Sequence, residues 1–166
     1  MNTSKTSGIL GIDKQLKNKL IALDSMVFIY LIEQTDPYFP ICKKILHFGE
    51  SGQTKIISSI ISVLESLSPP KYIFHPEVQR EITNFFENTT GLSIFPVDKQ
   101  VCLEASRLRR ENPGLKTPDS IQLATAIVHQ ANIFISNDGR LAKLDLPIKI
   151  IPLDTIHLDS SGKAIK

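Results

Sequence analysis

The sequence predicts an α/β fold in three layers, a central parallel sheet flanked by helices on both faces. Two observations carry this. Short β-favouring apolar runs alternate with longer stretches of helical period from Lys19 onward, the order expected of a parallel sheet covered by helices. The runs are also rich in Ile and Val and lack polar alternation, as strands buried on both faces do.

Taken in order, residues 1–18 are polar, carry scattered Gly and Lys and show no sustained period, so they read as a loosely attached tail. The folded domain is expected over 19–156. Its strands are LIAL (20–23), KIIS (55–58), LSIFPV (92–97), NIFIS (132–136) and IKIIPL (148–153). Between them, apolar stripes at helical spacing run through Ile41, Ile45 and Phe48, through Val78, Ile82, Phe85 and Phe86, and through Val101, Ala105 and Leu108. Thr117 followed by Pro118 predicts an N-cap with proline in the first turn, opening a helix that reaches about Gln130. In that helix Ile121, Ala124, Thr125 and Val128 are expected to face the sheet. LSPPKYIFHPE and ENPGLKTP interrupt helical pattern and predict loops. Residues 157–166 read as a second polar tail.

The length of 166 residues suits one domain, and 42% apolar with 22% charged residues is the composition of a globular protein. No apolar stretch approaches the ~18 residues of a membrane span. The start lacks a basic flank, apolar core and cleavage site, so the expected compartment is the cytoplasm. Cys42 and Cys102 match neither a zinc motif nor a redox pair and are expected to be buried thiols. A net charge of +2 permits a polyanionic partner without requiring one.

Four acids stand in or beside apolar sequence: Asp24 ends IALD, Glu65 lies in SSIISVLESL, Asp119 opens TPDSIQLATA, and Asp138 ends IFISND. A carboxylate near a core costs several kcal/mol unless it is paired or coordinated, and the neighbouring sequence supplies almost no basic partners. In a parallel sheet, residues at the carboxyl ends of strands gather along one edge, where such folds bind ligands. Asp24 and Asp138 hold that position. Glu65 falls in the helix after the second strand, and Asp119 in the first turn of its own helix. Two bare carboxylates at ~4 Å repel by roughly 4 kcal/mol at an effective dielectric of ~20, a cost that a hard dication relieves. Oxygen ligands select Mg²⁺ or Mn²⁺, and a carboxylate-held dication is apparatus for phosphodiester hydrolysis with water as nucleophile.

LDSMVFIYLIE, SSIISVLESL, TPDSIQLATAIVHQANIFISND and IKIIPL, in this order and spacing, resemble a PIN domain, and within that family the VapC-like toxin endoribonucleases of bacterial toxin–antitoxin pairs. The resemblance covers about Leu20 to Leu153. It implies a PIN-like fold, cleavage of RNA, and an acidic quartet of Asp24, Glu65, Asp119 and Asp138 that binds Mg²⁺ or Mn²⁺. It also implies a cognate antitoxin and a homodimer. Ser25 matches a small polar position after the first acid. Ser136 stands where the family usually has Thr, and Asn137 before Asp138 is typical. The long N-terminal segment is not.

Each residue also has an ordinary structural reading. Asp24 could N-cap the helix that starts at Ser25, Glu65 could be a solvated helix position, Asp119 could complement a helix dipole, and Asp138 in NDGR could belong to a turn. Four such positions in the right order favour a site. Asp98 and Glu104, beside Lys99 and Arg107, serve as control acids in surface ion pairs. Arg107, Arg109 and Arg110 form a basic cluster that either faces solvent or contacts RNA phosphates. Lys71, Tyr72 and Lys116 are candidates to flank the crevice, and His47, His75, His129 and His157 lack metal-ligand spacing. The alternatives to a toxin are a housekeeping PIN nuclease, a catalytically silent PIN-like scaffold that binds RNA or protein, and a phosphate-receiver domain. The last lacks an acidic pair at the first strand's end.

Overall fold

A computed structural model describes residues 12–158 and 164–165. The chain begins with α1 (Ile12–Leu16) and then runs β1 (Leu20–Leu23), α2 (Ser25–Ile32), α3 (Phe39–Glu50), β2 (Lys55–Ser59) and α4 (Ile60–Leu67). It continues as α5 (Pro76–Asn88), β3 (Leu92–Phe95), α6 (Lys99–Glu111), α7 (Thr117–Val128), β4 (Ile133–Ser136) and β5 (Lys149–Pro152), and ends with the short strands β6 (His157–Leu158) and β7 (Ala164–Ile165).

The main sheet has strand order β3-β2-β1-β4-β5, and every neighbouring pair is parallel. Strand periodicity divides its side chains between two cores. Ile21, Leu23, Ile56, Ile133, Ile135 and Ile151 enter one core with α2, α3 and α5. Ala22, Ile57 and Phe134 enter the other with α6 and α7. The three-layer α/β architecture expected from the sequence is therefore the one observed.

Several local expectations are corrected. The segment expected to be a tail is ordered helix from Ile12, because Leu16 is fully buried in the first core and Asp13 pairs with Lys44 at 3.1 Å. Residues 1–11 of that segment lie outside the described residues. At the other end, where a polar tail was expected, β6 and β7 pair antiparallel, while 159–163 and 166 lie outside the described residues. Strands β3 and β5 are only partly buried, since each is an edge strand. Cys42 is buried, with its thiol pushed up to about 12 by desolvation, whereas Cys102 is exposed.

Thr117 is not the N-cap of α7. Lys116 holds that extended conformation, and Thr117 and Pro118 are already helical, where a missing N–H costs nothing. The helix stops two residues short of Gln130, which turns into the left-handed region at φ 58°. There Ala131 N–H bonds to Ala126 O and Gln130 N–H to Ile127 O, closing the last turn. The inward face of α7 also differs from expectation: Ala124 and Thr125 are buried, but Ile121 and Val128 are only partly so, and Ser120, Gln122 and Leu123 are buried instead.

One close backbone approach fixes where α3 meets the sheet. Gly91 has φ +79° and its carbonyl accepts a hydrogen bond from Ile56 N–H, and a Cβ there would collide with the Gly49 backbone. Gly91→Ala is therefore expected to cost about 2 kcal/mol or more. Gly52→Ala has comparable φ strain in open space and should cost about 1 kcal/mol. Urea unfolding of the two variants measures the difference, and equal losses would show that the Gly49 contact yields freely.

Candidate functional site

The switch point of the sheet lies between β1 and β4, where the chain's direction of strand addition reverses. Asp24 follows β1 directly, and Asp138 lies two residues beyond β4. Helix α7 starts at this edge and runs away from it toward the amino end of β4, so its first turn holds Asp119 there. Glu65 comes from α4, after β2.

Asp24 occupies the N-cap position of α2, but its side chain does not cap the helix. It points instead into a buried network. Oδ2 accepts from Ser136 Oγ at 2.5 Å, and Oδ1 accepts from Ser25 Oγ and Gln122 Nε2, each at 3.2 Å. All three donors are neutral. Asp24 is only 8% exposed, and burial raises its pKa, opposed by the serine hydrogen bonds and reinforced by the negative charge of Asp119. Ser136 also accepts from Asp138 N–H at 3.0 Å, so a single hydroxyl ties the two strand-end acids together.

Asp119 is half-buried, and its pKa is raised by desolvation and by the charges of Asp138 and Glu65, with Lys116 and Arg140 opposing. Lys116 thus flanks the crevice as expected. Lys71 and Tyr72 do not, since both bind Glu33 at the end of α2. The charge of Asp119 is coupled to those of Asp24, Glu65 and Asp138, so the four expected acids lie in one region. Glu65 reaches Asp24 through an intermediary: Gln122 Nε2 donates to Glu65 Oε2 at 3.2 Å as well as to Asp24.

The expectation that these acids lack basic partners fails at Asp138. Arg140 Nε donates to both carboxylate oxygens at 2.9 and 3.0 Å, its backbone N–H adds a third bond at 2.9 Å, and the pair depresses the Asp138 pKa. Aspartate and arginine two residues apart across a turn meet without long-range help. With side chains in these positions, no three His, Cys, Asp or Glu groups among the described residues converge to hold one ion. The donor chemistry nevertheless suits a hard dication: four carboxylates, two of them destabilised as anions by burial and by one another. Asp138 is held by Arg140, whose guanidinium is largely solvent-exposed. A groove of about 470 Å³ adjoins the acids, lined by Asp119, Asp138, Arg140, Leu141 and the Glu111–Leu115 loop.

The remaining expected residues lie around this centre. Asn137 Nδ2 donates to the Tyr30 hydroxyl at 2.8 Å, and Tyr30 stacks on Tyr38 with ring centroids 4.6 Å apart. Arg107 is engaged by Glu104 and Glu111 on its own helix, while Arg109 and Arg110 line a separate cleft between α6 and α7. Of the control acids, Glu104 forms the expected ion pair. Asp98 does not; it N-caps α6 by accepting from Val101 N–H at 2.9 Å.

Sequence reasoning passed over Gln122, which is 3% exposed and touches two of the acids. A signal was present. Gln122 lies one turn after Asp119 in a helix whose other inward residues are small or apolar, and one-turn spacing puts the two on one face.

A parallel three-layer α/β sheet with strand-end carboxylates at its switch point has the architecture of α/β domains that bind ligands at the carboxyl ends of their strands. More narrowly, residues 21–147 match the PIN domain family model, and the chain belongs to the PIN domain family. A comparison with curated proteins finds no match in sequence. Among solved structures, the chain is similar to DNA-bound VapBC from Salmonella typhimurium, with TM-score 0.62 and 17% identity over 83% of this chain and 98% of that one. VapBC2 from Rickettsia felis bound to a promoter DNA fragment gives 0.61 and 17%, over 80% and 98%. A toxin–antitoxin complex from Klebsiella pneumoniae gives 0.58 and 21%, over 80% and 97%.

The raised pKa of Asp24 has a consequence for stability. A folded-state value above the ordinary 3.8 means that the folded protein binds the proton more tightly than the unfolded chain does, so stability is lost as pH rises through the folded value. In EDTA, the unfolding free energy of Asp24→Asn is expected to decline less than that of the wild type between pH 4 and pH 7, as followed by urea titration at stepped pH. Parallel curves would mean that burial does not strain this carboxylate.

Proposed function

We propose that this protein is a Mg²⁺- or Mn²⁺-dependent endoribonuclease, the toxin of a toxin–antitoxin pair, acting in the cytoplasm. The observation that carries the reading is Asp24: a carboxylate buried at the switch point, hydrogen-bonded by neutral donors alone and facing a second strained carboxylate, Asp119. Such an arrangement is costly to maintain unless a cation uses it. PIN family membership and the likeness of nearly the full length of several toxin–antitoxin structures support the same assignment.

In this reading Asp24, Glu65, Asp119 and Asp138 hold the dication. When bound, the dication polarises the scissile phosphoryl group, lowers the pKa of the attacking water and offsets charge on the leaving oxygen. The chain's own residues set the stage. Ser136 and Ser25 fix the orientation of Asp24, and Ser136 keeps the Asp138 backbone in register with it. Arg140, released from Asp138, is placed beside the groove to meet a backbone phosphate of RNA. Arg109 and Arg110 in their neighbouring cleft are further phosphate contacts; Arg107 is committed to its glutamates. A cognate antitoxin covers the crevice, and the active form is a homodimer.

Asp24→Asn, Glu65→Gln, Asp119→Asn and Asp138→Asn are each expected to lower RNA cleavage in Mg²⁺ or Mn²⁺ by at least about 100-fold while remaining folded, and Glu104→Gln to leave it within about twofold. Gel assays on total RNA alongside circular dichroism read both quantities. Wild-type rates in the quartet variants would exclude the nuclease site. Expression of the wild type should also arrest growth, with rescue by an adjacent antitoxin reading frame; cleavage without growth arrest would instead support the housekeeping nuclease.

A further inference from the structure

Behind the acids lies a buried chain of hydrogen bonds whose protons do not add up. Ser58 Oγ lies 2.7 Å from Leu23 O and 2.7 Å from Ser62 Oγ, and Ser62 Oγ lies 3.1 Å from Gln122 Oε1. Both ends of this chain, a backbone carbonyl and an amide oxygen, only accept. The two serines supply one hydroxyl proton each, so three oxygen–oxygen contacts share two protons. Whichever way the hydroxyls rotate, one contact holds no proton. Ser58, Ser62 and Gln122 are all at most 3% exposed, where an unmet contact is expensive.

A half-turn of the Gln122 amide removes the deficit without changing its shape. Nε2 then donates to Ser62, Ser62 to Ser58, and Ser58 to Leu23 O, one proton per contact. The same rotation exchanges what the acids face. In the orientation observed, the NH₂ group bridges Asp24 Oδ1 and Glu65 Oε2 at 3.2 Å each and damps their repulsion as a weak substitute for positive charge. After rotation, a carbonyl oxygen faces the two carboxylates, which is tolerable only if a cation lies among them.

We propose that Gln122 is a metal-coupled switch: its NH₂ holds Asp24 and Glu65 together in the metal-free protein, and its Oε1 turns to join them as a neutral oxygen ligand when a divalent cation binds. The gain of a fully protonated serine chain favours the bound orientation, so Ser58 and Ser62 support cation affinity from behind the site. This rests on the reading of the acids as a cation site, and it adds a ligand that the acidic quartet does not contain.

Two measurements test it without using catalysis. Calorimetric titration of Mn²⁺ into wild type and Gln122→Leu is expected to show roughly 10- to 100-fold weaker binding in the variant, the range seen when groups supporting a metal site are removed. NMR on wild-type protein reads the orientation directly: the Gln122 Hε2 protons should show cross-peaks to Glu65 in EDTA and to Ser62 Hβ in saturating Mg²⁺. Unchanged Hε2–Glu65 cross-peaks in saturating Mg²⁺, or equal Mn²⁺ affinity in Gln122→Leu, would overturn the switch while leaving the cation site intact. Absence of Mn²⁺ binding to the wild type would overturn the site and the switch together. The NMR arm needs no substitution and so stands even where Gln122→Leu fails to fold.

Discussion

Parallel pairing of β1 with β2 on one side and β4 on the other is the constraint from which the candidate site follows. The pairing extends one residue past β1, since Asp24 N–H bonds to Ile135 O at 3.0 Å. The backbone of Asp24 is therefore part of the ladder, which fixes where its side chain leaves the sheet. The adjacent end of β4 sets Ser136 against it. Helix α7 must pack across the face made by Ala22, Ile57 and Phe134, and that packing brings Gln122 and Asp119 to the same edge.

The molecule meets the cost of burying Asp24 with polarity instead of charge. Two hydroxyls and an amide solvate the carboxylate where an arginine or lysine would neutralise it. Neutral hydrogen bonds recover part of the lost hydration but add no positive charge, so burial, reinforced by neighbouring carboxylates, still raises the pKa values of Asp24 and Asp119. Asp138 is treated differently. At the rim, where it meets solvent, it takes Arg140 as a partner, and an ion pair formed there is easily exchanged. The site thus has a fixed, strained interior acid and an adjustable outer one.

Much of this was legible in the sequence because the relevant signals are local. The carboxyl end of a strand is a single position, so an acid that terminates an Ile- and Leu-rich run can be placed on the sheet edge from its neighbours alone, as Asp24 and Asp138 were. Asp119 follows from a proline-initiated helix in the same way. Gln122 was not found, because a glutamine in an apolar helix reads as solvated until the partners on other elements are known; here these are Ser62 and Glu65 on α4 and Asp24 after β1. The order of Ser58 and Ser62, one on β2 and one on α4, likewise has no meaning until the turn between them is folded.

The sequence by itself determined the layering of the fold, the strand positions to within a residue or two, the acids at the strand ends and the resemblance to the PIN family, all through hydrophobic period and the residue types at element boundaries. Tertiary structure decided the rest. It docked Leu16 into the core and made β3 and β5 edges. It also set Gln122 between two carboxylates from separate elements. Those outcomes depend on distances between side chains far apart along the chain, and periodicity along one dimension carries no information about such distances until the sheet order brings the segments together.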